Sequence, residues 1–260
     1  MKKSIISSSI LFNLMLLVSA FSLCGCLNPH LSSMGASQMV VSHQPRMAVN
    51  GDSSSMTVSA EAFGGAKMTG RNIKDGYSGG ASASLNYRPF GLTSPLYVEA
   101  ALGGKGGKAS LECSESGKCN NEYNAWLLTN AGKKKYSFWS LQERISAGAD
   151  FDVGPVILGL GAGVQLFEGG GDFDDIRDVL GRNMADNDDD GYGVKLFTSA
   201  RIGARLGGNG AVVLEGDVMW LKTMNVGFTL NYYHPSGFYG GVFAAEKVGY
   251  GVNFGKTFSL

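Results

Sequence analysis

The chain of 260 residues is poor in charge, proline and histidine. Charged residues make up 17% of it, and the 22 basic and 22 acidic residues cancel; a usual charged share is ~25%. No basic footprint for nucleic acid exists in such a chain. Proline occurs 6 times and the glycines follow no strict Gly-X-Y period, which excludes a collagen-like helix. An apolar share of 44% is too high for a wholly disordered chain. Beyond the first two dozen residues no apolar run is long enough for a membrane helix. What the chain has in excess is glycine, at 39 of 260 positions, about twice the usual ~7%. Its mean hydropathy is nevertheless only +0.01.

The N-terminus reads as an export signal. Lys2 and Lys3 give a positive start, and Ile10 to Leu23 gives a short apolar stretch. Its end has two readings. Val18-Ser19-Ala20 fits an ordinary cleavage site. Leu23-Cys24-Gly25-Cys26 resembles a bacterial lipobox, although Cys24 is an unusual occupant of its position. That resemblance implies a signal over residues 1–25, a lipidated Cys26 and, with Leu27 following, sorting to the outer membrane. Residues 26–56 are Ser-, Met- and Gln-rich without a period and read as a flexible periplasmic tether. His30 and His43 fall within it, with no neighbouring residues to complete a metal site.

From residue 57 to 260 the dominant period is two. Val58, Ala60 and Ala62 oppose Ser59 and Glu61; Leu85 and Tyr87 oppose Ser84, Asn86 and Arg88; Val194, Leu196 and Ile202 oppose Lys195, Ser199 and Arg201. Alternate side chains of a strand point to opposite faces, so each segment has an apolar and a polar face. Ten segments follow this pattern: 57–68, 77–88, 96–111, 136–153, 156–167, 192–206, 211–222, 226–233, 238–244 and 249–260. Reading 226–260 as fewer strands leads instead to a count of eight. The predicted fold is all-β: an antiparallel up-and-down barrel whose strands are long enough to cross a membrane at a tilt.

The connections alternate in the same sense. Those around Pro89–Pro95, Gly154-Pro155, Gly207–Gly210 and His234–Gly237 are short, whereas the long ones, 112–135 and 168–191, share the opposite side. Outer-membrane barrels combine short periplasmic turns with longer outer loops. Aromatic residues sit near strand ends on the apolar faces, as with Tyr77 and Tyr87, Trp139 and Phe151, and Tyr250 and Phe258. Such spacing fits an apolar band ~25 Å tall between aromatic girdles.

The last segment, Asn253-Phe254-Gly255-Lys256-Thr257-Phe258-Ser259-Leu260, resembles the C-terminal β-signal of bacterial outer-membrane barrel proteins. Asn253, Gly255, Phe258 and Leu260 match its polar, glycine, aromatic and hydrophobic positions; the family usually closes on an aromatic rather than on leucine. The resemblance implies the bacterial outer membrane as location. It implies the barrel-assembly machinery, membrane lipids and lipopolysaccharide as partners, and a monomer.

The polar faces carry Glu61, Arg88, Glu99, Arg144, Lys195, Arg201, Arg205, Glu215 and Asp217, which a barrel of about ten strands turns inward into a narrow space. Opposite charges there must pair, since an isolated charge away from bulk water is costly. A structural network filling the lumen is the leading expectation, and a narrow small-solute channel is the second. A lipid-anchored, lipocalin-like soluble barrel is the third, and it requires the opposite dressing, apolar inside and polar outside. No catalytic residue is assigned, and no enzyme is expected: His234 falls in a short turn, and Glu215 with Asp217 lies beside arginines that favour ion pairing over general acid–base work.

Two loop features complete the sequence reading. Asp186, Asp188 and Asp190, followed by Gly191, resemble the opening of a calcium loop. Position twelve is Phe197 instead of Glu, so only partial Ca²⁺ binding or divalent bridging to lipopolysaccharide is expected; no other cofactor is. Cys113 and Cys119, in an exported chain, are expected to form a disulfide.

Overall fold

The computed structural model describes residues 40–45, 55–66, 73–111, 135–172, 192–207, 210–220, 224–245 and 249–260. Ten strands form along the chain: β1 (Met56–Ala66), β2 (Ile73–Tyr87), β3 (Leu96–Leu111), β4 (Tyr136–Val153), β5 (Val156–Gly171), β6 (Tyr192–Arg205), β7 (Ala211–Trp220), β8 (Asn225–Tyr233), β9 (Phe238–Ala245) and β10 (Gly249–Ser259). Each pairs antiparallel with its neighbours in sequence, and β10 closes on β1. Closure leaves no unpaired edge, so the backbone donors and acceptors of the wall are satisfied within it. The ten-strand expectation holds and the eight-strand alternative falls, because β8, β9 and β10 are separate strands that pair antiparallel in turn.

The period of two becomes two surfaces. β4 alternates buried and exposed positions through most of its length: Ser140, Gln142, Arg144 and Ser146 are buried, and Leu141, Ile145 and Ala147 are exposed. The same polarity runs round the barrel. Leu102, Leu166, Val194, Leu230, Val242 and Phe254 face outward; Glu99, Gln165, Lys195, Glu215, Asn231 and Asn253 face inward. The core is therefore polar, and the outer surface is apolar.

Short turns at 88–95, 154–155, 206–210 and 234–237 define one end of the barrel. Between β4 and β5, Gly154 has φ +64° beside Pro155, the left-handed backbone that a two-residue turn needs and glycine supplies at no steric cost. Strand ends at Ala66, Leu111, Gly171 and Ala245 lie at the opposite end.

One segment departs from the sequence expectation. Residues 40–45, assigned above to the periplasmic tether, lie inside the barrel, with Val40, Val41, Ser42, His43 and Gln44 all buried. They form no strand. Val40 packs with Phe63, Phe243 and Ala245, and Val41 with Ala101. Lacking a period of its own, the segment takes its position only from the side chains that surround it.

Candidate functional site

Five consecutive strands bring most of the inward charges together. Arg201 on β6 reaches Asp150 Oδ1 at 3.3 Å and Glu215 Oε1 at 3.1 Å, and donates to the Tyr97 hydroxyl. Asp150 on β4 also takes Arg88 Nη2 at 2.7 Å, from the end of β2. Arg144 on β4 crosses the lumen to Asp217 on β7 at 2.9 Å and lies 3.6 Å from the centre of the Phe197 ring. Glu99 accepts from Asn86 Nδ2 at 3.2 Å. Such pairing offsets the cost of removing these charges from bulk water.

Strand β5, lying between these partners, carries only glycine on its inner face from Gly159 to Gly163. A Cβ at Gly159 would sit 2.6 Å from Arg201 Nε and 2.7 Å from Asp150 Oδ1, and one at Gly161 would crowd the Tyr97 hydroxyl and Ser199 Oγ. The missing side chains leave the space in which β4 and β6 meet across β5. That is one location of the glycine excess.

His43 sits at the centre of this cluster. Its Nδ1 lies 2.9 Å from Glu99 Oε2 and its Nε2 lies 3.0 Å from Asp150 Oδ2. Its backbone N–H donates to Glu215 Oε2 at 3.0 Å, and its carbonyl accepts from the Tyr233 hydroxyl at 2.9 Å. The ring lies against Tyr97 with centroids 4.2 Å apart and planes tilted by 40°. Two ring nitrogens that both face carboxylates are both donors only in the imidazolium form. Burial and the Arg201 charge oppose that proton, but Asp150 and Glu99 outweigh them and hold the His43 pKa above its ordinary value. One residue earlier, Ser42 Oγ accepts from Asn231 Nδ2 at 2.7 Å and from Asn253 Nδ2 at 2.9 Å.

Of the charges assigned to the lumen from sequence, Glu61, Arg88, Glu99, Arg144, Lys195, Arg201, Glu215 and Asp217 are buried there. Arg205 is placed differently. It is about one-quarter exposed at the short-turn end and pairs with Asp152 at 2.9 Å, because the strand ends there. Glu215 and Asp217 pair with separate arginines, Arg201 and Arg144. His234 is exposed in its turn and bonds Ser236 Oγ at 2.6 Å. In β10, Asn253 points inward to Ser42, Gly255 lies across from Tyr239, and Phe258 is exposed on the outer face. The Leu260 N–H closes the last turn of pairing on Met56 O at 3.0 Å. Cys26, Cys113, Cys119, Asp186, Asp188 and Asp190 lie outside the described residues.

His43 is the site residue that sequence reasoning missed. The one available signal was the Val40-Val41 pair in an otherwise polar stretch.

No family model and no curated protein matches this chain. Among solved structures, it is similar to the Neisserial surface protein A, at 14% identity and TM-score 0.36 over 80% of this chain and 99% of that one. An outer membrane channel from Pseudomonas putida F1 gives 9% identity and TM-score 0.42 over 84% and 100%. The beta domain of the Bordetella autotransporter BrkA gives 12% and 0.38 over 80% and 100%. Overlays this loose transfer no role to this chain.

Proposed function

We propose that this chain is a bacterial outer-membrane β-barrel with a structural or surface-interaction role and no catalytic activity. The observation that carries the reading is the inverted dressing of a closed barrel, with apolar side chains exposed round the outside and charges and amides buried within. A soluble lipocalin-like barrel needs the reverse. A closed barrel can sit in lipid because it has no open edge. Tyr77 and Tyr250 flank Ala66 at one end of the outer surface, and Tyr87 and Phe258 lie near Met56 and Val58 at the other. Tyr77 and Tyr87 are ten residues apart in β2, roughly 23 Å of height for strands rising ~3.3 Å per residue at ~45°, close to the ~25 Å between aromatic girdles.

The test is fractionation with gel mobility. The full chain is expected in the outer-membrane fraction, resisting carbonate or urea extraction, and migrating differently before and after boiling. Recovery of folded Cys26→Ala protein in the soluble fraction overturns the reading. Glu143 sharpens the test, since it stands exposed on the outer face with Leu141 and Ile145 on either side. In lipid, Glu143→Leu should raise the urea midpoint; in a soluble barrel it should instead promote aggregation.

The polar lumen favours a second reading, a narrow small-solute channel on the same fold, tested by conductance in planar bilayers. Lipidation of Cys26, a Cys113–Cys119 disulfide and divalent-ion binding at Asp186, Asp188 and Asp190 belong to the same proposal. They are checked by acyl labelling, by thiol titration with and without reductant, and by calcium titration of the purified barrel.

A further inference from the structure

Residues 40–45 have no strand partner, so side chains of the barrel wall supply what holds them. The wall meets them with groups chosen for one occupant. Glu99 and Asp150 stand at hydrogen-bond distance from the two nitrogens of one ring, and Glu215 takes the backbone N–H of the same residue. Tyr233 donates to its carbonyl, and Tyr97 packs on its face. Asn231 and Asn253, on the other side of the lumen, both donate to the hydroxyl of the preceding serine. An apolar filler would meet none of these groups. Without the segment, Glu99, Asp150 and Glu215 with their arginine partners Arg88 and Arg201 would line a polar passage beside the inward glycines of β5, and a polar space of that kind takes up water.

We propose that this wall is a binding site for an extended peptide bearing an imidazolium, occupied by the chain's own residues 40–45, which thereby plug a lumen that otherwise admits small solutes. The proposal rests on the membrane-barrel reading above. The segment runs from Val40, near Phe63 and Phe243 toward the long-link end, to His43, near Glu99 and Asp150 toward the short-turn end. It thus lies buried in the lumen between these two levels. Ligands of the vacated site would share two properties: a cationic donor with two opposed N–H groups, and a neighbouring hydroxyl acceptor.

The experiment uses the full chain reconstituted in planar bilayers, beside a variant with residues 40–45 replaced by Gly and Ser. Heat-modifiable migration first shows that the variant is folded and inserted; failure there bears on the barrel reading and not on the plug. The folded variant is expected to show unitary conductance steps that the native chain lacks. The free hexapeptide Val-Val-Ser-His-Gln-Pro, added to both sides, should block those steps. The same peptide with alanine for histidine should need at least about tenfold more, the discrimination of one lost charge-assisted contact. A folded variant that conducts no more than the native chain overturns the plug. Equal block by the two peptides overturns the imidazolium site.

Discussion

The two halves of the lumen are built on different principles. From β3 to β7 the inner wall is ionic, with Arg144, Asp150, Arg201, Glu215 and Asp217 tied into pairs and Glu99 facing His43. From β8 through β10 to β1 it is made of amides, hydroxyls and aromatic rings: Asn231, Asn253, Thr257, Ser59, Tyr233 and Tyr239. Glu61 is the one inward charge there among the described residues. Tyr233 and Tyr239 stack at 5.2 Å, and Ser59 and Thr257 share a hydrogen bond at 2.9 Å. A neutral wall can be assembled from local contacts between adjacent strands. A charged wall cannot, because each ion needs a partner, and Arg144 finds its own three strands away. Both halves use glycine to clear space, but for different occupants: Gly159 on β5 makes room for Arg201 and Asp150, whereas Gly255 and Gly241 make room for Tyr239 and Asn231.

Arg201→Met should break the comparison most strongly. It removes the cation that Asp150 and Glu215 share, leaving Asp150 with Arg88 but Glu215 without a paired arginine, at a cost of about 3–5 kcal/mol, read as a lower urea midpoint for the folded gel band. Gly159→Leu comes next. Its side chain would enter the space held by Arg201 and Asp150, costing about 1–3 kcal/mol by overpacking, and the same assay should show the loss halved in an Asp150→Ala background. Asn231→Ala, in the neutral half, removes one donor to Ser42 while Asn253 still supplies another, and about 1 kcal/mol is expected. An Asn231 variant as damaging as the Arg201 variant would erase the distinction between the halves.

The smallest effect is one of pH. His43 has a raised pKa because Asp150 and Glu99 outweigh burial and Arg201, with Arg88, Glu215, Tyr97 and Tyr233 also around it. A group whose folded pKa exceeds its unfolded value contributes stability that is fully present below the unfolded pKa, near 6.5 for histidine, and lost as pH rises through the folded one. The stability gap between the native chain and His43→Gln should accordingly be widest in mild acid and narrow on the alkaline side. A gap independent of pH would mean that the ring is held neutral.

Much of the barrel was legible in the sequence because alternation is a local property. The starts and ends of β3 and β4 match the predicted 96–111 and 136–153. The misses lie where alternation fades. β5 continues to Gly171 rather than ending at 167, since Gly169, Gly170 and Gly171 carry no side-chain pattern yet pair with Ser140, Trp139 and Phe138. β2 begins at Ile73 rather than 77, through a register irregularity against β3 between Ile73 and Asp75. The inward charges were also legible one by one, but their partners were not. Arg205 looked equivalent to Arg201, and only the position of the strand end separates them.

The sequence by itself determined which side chains share a face, and that one face is polar and the other apolar, because a strand's geometry fixes the direction of every side chain from its neighbours; the choice of ten strands over eight came with the pairing of β8, β9 and β10. The tertiary structure alone decided which charges meet and what lies between them. Closing the sheet sets the distances across the lumen, and those distances draw residues 40–45, which have no periodicity of their own, into the barrel with His43 between two carboxylates.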